Sequence, residues 1–71
     1  MKKPEFVFGE RLRHLRKSKS LTQRELANIF HVSTSSIGMY EQNRRFPSFE
    51  VLVHYREFFG VTLDYILLGK E

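Results

Sequence analysis

The stretch from Leu21 to Gln42, LTQRELANIFHVSTSSIGMYEQ, decides the fold of this chain. Thr22-x-x-Glu25 has the form of a capping box, in which a hydroxyl accepts from the amide three residues on and the carboxylate reaches back. Leu21 before the cap and Leu26 after it are spaced as a hydrophobic staple. Leu26, Ile29 and Phe30 then recur at helical spacing. Ser33 is a second cap, with Val32 and Ile37 as a second staple, and Ile37 and Tyr40 carry the next helical stripe. Only His31 and Val32 separate the first helix from that cap. A connection so short forces two helices to meet at a steep angle. Ala27 faces the crossing, where a small side chain permits close approach.

The second of these helices, read over 34–42, divides into two arcs at about 100° per residue. Ile37, Tyr40 and Glu41 share the arc that packs inward. Thr34, Ser35, Gly38 and Gln42 share an outward arc that is small and polar, and a helix with such a face fits a major groove. The flanks suit the same partner. Thr22 and Gln23 open the preceding helix, whose free amides and positive dipole end favour a phosphate. Arg44 and Arg45 follow the outward helix at once, within reach of the backbone across the groove. A helix-turn-helix that binds double-stranded DNA is the expectation.

The same periodicity continues on both sides. Phe8, Leu12 and Leu15 precede the motif; Phe49, Leu52, Tyr55 and Phe59, then Leu63, Ile66 and Leu67, follow it. Ser48, behind Pro47, and Thr62 stand as further caps, and Gly60 and Gly69 stand where helices end in a left-handed residue. No stretch alternates like a strand. The reading is an all-α chain of five helices, over about 5–18, 23–30, 34–42, 49–59 and 63–68. Residues 1–71 are expected to form a single domain, since a chain of this length holds one small core at most.

Charge and residue type narrow the function. Residues 1–45 hold ten of the twelve basic residues against four acidic ones, while 46–71 hold two against four. A cationic front and a mildly anionic back suit a polyanion on one side. There is no cysteine, and His14, His31 and His54 are too far apart for a local ligand pair. No glycine-rich phosphate loop and no nucleophile-and-base set occurs either, so no enzyme, cofactor or metal is expected. No apolar run approaches the roughly 20 residues of a membrane span, and no signal-peptide core follows Met1. A cytoplasmic location is expected.

Several runs together carry a family resemblance. They are Leu21-Thr-Gln-Arg-Glu-Leu-Ala, Val32-Ser, Ile37-x-x-Tyr-Glu, Arg44-Arg-x-Pro-Ser and Phe59-Gly-Val-Thr-Leu-Asp-Tyr-Ile-Leu. From about Phe8 to Gly69 the chain resembles the phage-repressor and Cro-type (Xre) helix-turn-helix family. The resemblance implies a lambda-repressor-like five-helix domain and sequence-specific duplex binding by a transcriptional regulator, a repressor in the first instance. It also implies a homodimer on a two-fold operator. Gln23, Thr34, Ser35, Gly38 and Met39 match positions that contact bases and phosphates. Arg16 and Glu41 match a structural salt bridge between the first and third helices. With the flanking residues, the expected DNA-contacting set is Thr22, Gln23, Ser33, Thr34, Ser35, Gly38, Met39, Gln42, Arg44 and Arg45.

The departures from that pattern have consequences. His31 and Asn43 stand at usual glycine positions, and Arg56 stands where a small buried residue is favoured. No Gln, Asn or Arg occupies 34, 35 or 38 to make bidentate base contacts, so specificity leans on Gln23, on a methyl contact from Met39 or Thr34, and on DNA shape. Phe6, Val7, Phe46, Phe58, Tyr65 and Leu68 exceed what one core of five short helices needs. Tyr65 and Leu68 on the fifth helix are the expected homodimer surface. The alternative is an antitoxin or adaptor that uses such a surface to hold a protein partner.

Overall fold

The computed structural model describes residues 7–70. Among them run five helices and no strand: α1 (Gly9–Ser18), α2 (Gln23–Phe30), α3 (Thr34–Glu41), α4 (Phe49–Phe59) and α5 (Leu63–Leu68). The all-α, five-helix reading holds, and the bounds of α2, α4 and α5 match it. Gln42 caps α3 rather than extending it. The first helix is corrected: Val7 and Phe8 are not helical, and α1 starts at Gly9 rather than near residue 5. Residues 5 and 6, with the surplus Phe6 and the charges of Lys2, Lys3 and Glu5, lie outside the described residues.

A tertiary contact sets that start. The Gly9 amide donates to Asn43 Oδ1 at 2.9 Å, so a residue 34 positions away satisfies one of the free amides that open α1. A β-carbon at Gly9 would lie 2.3 Å from the carbonyl oxygen of Glu41. Helix α1 therefore abuts the end of α3 through bare backbone. Phe8, just before it, is buried and meets the Phe46 ring edge-on at 5.3 Å.

The other boundaries follow side-chain chemistry. Thr22 accepts from the Glu25 amide at 3.0 Å and Glu25 Oε1 accepts from the Thr22 amide at 2.8 Å, completing the capping box. Ser33, Ser48 and Thr62 each accept from the amide three residues on. Each such cap contributes about 1 kcal/mol. Helix ends share one device. After α2, His31 adopts φ 60° and its amide reaches Asn28 O, while the Val32 amide reaches Ala27 O. After α3, Asn43 (φ 60°) and Arg44 repeat those two bonds to Tyr40 O and Met39 O. Both are Schellman closures built without glycine, on residue types that tolerate the left-handed region better than most. Ser20 (φ 56°) closes α1 in the same way.

The core gathers Leu12 and Leu15 of α1, Leu26, Ala27 and Phe30 of α2, Ile37 and Tyr40 of α3, Val51, Leu52 and Tyr55 of α4, and Ile66 of α5. Leu21 and Val32, the outer members of the two staples, pack against it. Phe30 meets Tyr55 and Phe58 edge-on, with ring centroids 4.8 and 5.9 Å apart. Two members of the helical stripes do not join: Ile29 and Phe49 are exposed, because each helix turns a narrower face inward than the spacing alone implies. Arg56 does not disturb the packing, being exposed and paired with Glu57 at 2.7 Å. Tyr55 is wholly buried and its hydroxyl has no hydrogen-bond partner among the described residues. Burial, reinforced by the Glu41 charge, pushes its phenol well above the ordinary value. Since the raised value belongs to the folded state, stability is intact below the unfolded phenol's value near 10 and declines above it.

Candidate nucleic-acid interface

The geometry of the interface rests on one buried ion pair. Arg16 Nε and Nη2 donate to Glu41 Oε2 and Oε1 at 2.7 and 3.0 Å, and Nη1 donates to Leu21 O at 2.8 Å. The side chains are 9% and 2% exposed. A single guanidinium thus ties together α1, α3 and the turn that leads into α2. Its hydrogen bond to Glu41 holds Arg16 above the ordinary guanidinium value, although desolvation pulls the other way. The Arg16–Glu41 pairing implied by the resemblance is present.

Fixed in this way, α3 buries Ile37, Tyr40 and Glu41 and leaves Thr34, Ser35 and Gln42 exposed, with Gly38 half-buried among them. Met39 is 40% exposed, so its thioether is available beside the polar arc. Arg44 and Arg45 are both exposed immediately after the helix. Ala27, buried at the α2–α3 crossing, admits the close approach expected of it.

The remaining expected contacts differ in what they have left to offer. Thr22 is exposed, and the capping box uses its hydroxyl as an acceptor, so the O–H stays available as a donor. The Ser33 hydroxyl spends its proton within the cap: it accepts from the Ser36 amide at 3.0 Å and donates to Ser36 Oγ at 2.9 Å. Gln23 is half-buried and its Nε2 donates to Glu41 Oε1 at 3.1 Å. Because a carboxylate can only accept, this bond fixes which way the Gln23 amide points. It lies beside Gly38, where an added β-carbon would stand 3.7 Å from Gln23 Oε1, an ordinary contact.

Gln23 and Gln42 line a polar cleft together with Arg13, Arg16, Lys17 and Glu41. Sequence reading counted Arg13 and Lys17 only in the charge balance. Their i, i+4 spacing on α1 was the signal that they share a face. Elsewhere on the surface, Phe46, Asp64, Leu67 and Leu68 line an apolar groove, and Phe46 and Leu68 are more than half exposed. Tyr65, by contrast, packs partly against the core, as does Phe58. Among the described residues no group of acidic or histidine side chains could hold a metal ion, and no helix is long and apolar enough to cross a membrane.

Comparison with known proteins agrees with this geometry. The pattern of a family described as a helix-turn-helix domain matches residues 9–71. The chain is 41% identical over 64 residues to the HTH-type transcriptional activator BcrR of Enterococcus faecalis, covering 90% of this chain and 31% of that protein. It is 33% identical over 65 residues to the HTH-type transcriptional regulator YqaE of Bacillus subtilis, covering 92% and 56% respectively. The chain therefore spans about a third to just over half the length of these relatives. Among solved structures it is similar to the P22 c2 repressor bound to a synthetic operator, with a TM-score of 0.85 and 29% identity over 93% of this chain and all of that one. It is also similar to the restriction-modification controller protein C.AhdI of Aeromonas hydrophila, with a TM-score of 0.75 and 27% identity over 87% and 94%.

Proposed function

The chain belongs to the helix-turn-helix family of phage-repressor and Cro type, and from that premise we propose that it reads duplex DNA as the DNA-binding domain of a transcriptional regulator. Residues 1–71 act as one domain and work in the cytoplasm. The observation that carries the reading is the outward polar face of α3, followed at once by the exposed Arg44 and Arg45 and held in place by the buried Arg16–Glu41 pair. Thr34, Ser35, Gly38, Met39 and Gln42 meet the major groove, and Gln23 reaches it from α2. Thr22, Ser33, Arg44 and Arg45 contact the sugar-phosphate backbone, Ser33 through its position rather than a free hydroxyl. One relative is an activator and one structural neighbour a repressor. Operator binding is what those two roles have in common, and repression by occlusion of a promoter is the simpler of the two because it needs no contact beyond the DNA.

Selection of bound duplexes from a random library tests the reading, and a recurrent motif is expected. On that motif, Arg44→Ala or Arg45→Ala should weaken every sequence about equally and flatten the salt dependence by about one unit per lost phosphate contact. Substitutions at Thr34 or Gln23 should instead change which sequence wins. A sequence-selective loss from Arg45→Ala would overturn this division.

A homodimer through α5 follows from the same reading. Each good bidentate contact contributes about 1–3 kcal/mol of discrimination, while operator specificity needs about 4–10 kcal/mol. One short α3 with small side chains falls short, and two-fold pairing doubles the site. Leu68, 55% exposed beside Phe46 and Leu67, offers the apolar surface, and Tyr65 shares its helix. Apposed α5 helices would set the two reading helices about 34 Å apart, one turn of duplex. Leu68→Glu is expected to sediment as a monomer at micromolar concentration where the wild type is a dimer, and to lose footprinting of paired half-sites. Unchanged paired footprints would remove α5 from the interface. The same apolar groove supports the second reading, an antitoxin or adaptor, for which no duplex would be selected.

A further inference from the structure

We infer that Arg11 is the clasp that docks α5 onto the domain, a positioning residue for the apolar surface at Phe46, Leu67 and Leu68 and not a contact for DNA. Where it bears on paired binding, the inference rests on the duplex-binding reading above; the docking itself does not. Helix α5 has little to hold it. It is six residues long, far below the roughly 12–15 residues at which a helix is even marginally stable by itself. Ile66 is its single fully buried side chain, and Leu63, Tyr65 and Leu67 pack against the core only in part. Its caps are internal: Thr62 closes the start, and the Gly69 and Lys70 amides return to Tyr65 O and Asp64 O at the end. Such caps favour the helix but fasten it to nothing.

Arg11 supplies the fastening. Its Nε donates to Ile66 O at 2.9 Å, the only hydrogen bond that joins α5 to another helix among the described residues. The acceptor is one of the last four carbonyls of α5, which have no partner within the helix. It belongs to the same residue that fills the core, so side-chain burial and main-chain anchoring fall on Ile66 together. The guanidinium also lies close to the left-handed Gly69, where an added β-carbon would stand 3.2 Å from Nη1 and 3.5 Å from Cζ. A cation in that place faces the negative end of the helix dipole. Arg11 is half-buried while Arg13, two residues on, is exposed. Its charge is committed to α5.

Amide hydrogen exchange on three variants tests this, because they differ in what stands at the Nε position. Glutamine carries an N–H donor at the same place along the side chain but no charge. Lysine keeps the charge but has a methylene there, and methionine has neither donor nor charge. In Arg11→Met the Ile66, Gly69 and Lys70 amides should lose protection by about ten- to a hundredfold, the equivalent of one hydrogen bond from a charged group. Leu26 of α2 and Leu52 of α4 should keep theirs. Arg11→Gln should restore most of the loss, and Arg11→Lys less. On duplexes carrying one or both half-sites of the selected operator, Arg11→Met should weaken paired binding more than single-site binding. Arg11→Gln should leave the salt dependence unchanged, since no phosphate contact goes with the charge.

Full protection of α5 in Arg11→Met would overturn the inference, and so would equal losses at Leu26 and Leu52, which would make Arg11 a support for the whole fold. Rescue by lysine but not by glutamine would overturn it too, by assigning the effect to charge alone. A flatter salt dependence in Arg11→Gln with α5 still protected would place the guanidinium on the DNA instead. If Arg11→Met frees α5 yet binds paired half-sites as the wild type does, the clasp stands and pairing through α5 falls. If the wild type selects no duplex, the functional reading falls, and the exchange result still decides the clasp.

Discussion

Glu41→Ala is expected to lower the unfolding free energy by about 3–5 kcal/mol, the range for stranding one member of a buried ion pair. Glu41 accepts from Arg16 Nε, from Arg16 Nη2 and from Gln23 Nε2, and its side chain is only 2% exposed. Removing it leaves a guanidinium, itself 9% exposed, facing the truncated end of α3 with nothing to neutralise it. Domains of this kind have about 5–15 kcal/mol in all, so the variant should be partly unfolded on mild warming. Replacing both partners by apolar residues of similar volume, as in Arg16→Met/Glu41→Leu, should cost much less, because no charge is stranded. Urea melts of the single and double variants decide it. A loss under about 1 kcal/mol for Glu41→Ala, the value for an exposed pair, would mean that Arg16 finds water or another acceptor.

Local chemistry in the sequence carried most of the fold, and the places where it fell short have a common cause. Caps act within three residues, so Thr22, Ser33, Ser48 and Thr62 could be read directly as helix starts. The inward arc of α3 was equally legible, because three buried positions on one helix fix the other face by geometry. The start of α1 was not, since its first amide is satisfied by Asn43, 34 residues away. Periodicity also overcounted the core at Ile29 and Phe49, where it marks a stripe but not its width. The Arg16–Glu41 pair was reachable only through family resemblance, because nothing in the residues themselves links positions 25 apart. The cleft at Arg13 and Lys17 needed the fold for the same reason: it is walled by three helices, each of which alone looks like a solvated surface. The left-handed Ser20 had no signal in residue type, and only the two closing bonds to Arg16 and Lys17 reveal it.

Two glycines that look alike in the sequence should respond to alanine in opposite directions. At Gly9 a β-carbon would stand 2.3 Å from the Glu41 carbonyl oxygen, 2.7 Å from its carbon and 2.9 Å from the Tyr40 oxygen. These are backbone atoms at the end of α3 and cannot rotate away, so α1 and α3 must separate. Overpacking of this kind costs about 1–3 kcal/mol, occasionally more, and here the upper end is expected. Separation also stretches the Gly9–Asn43 hydrogen bond, and with it the turn that delivers Arg44 and Arg45. Affinity for every duplex should therefore fall along with stability. At Gly38 the added carbon would meet only the Gln23 amide, at 3.7 and 3.8 Å, which is ordinary contact. Removing a glycine from a helix interior contributes about 1 kcal/mol, so Gly38→Ala should raise the urea midpoint while placing a methyl group on the reading face. Parallel urea melts and duplex titrations of the two variants check both arms. If Gly9→Ala unfolds within about 0.5 kcal/mol of wild type and binds duplex as well as it does, then the close contact between α1 and α3 is not what holds the Arg44–Arg45 turn in place.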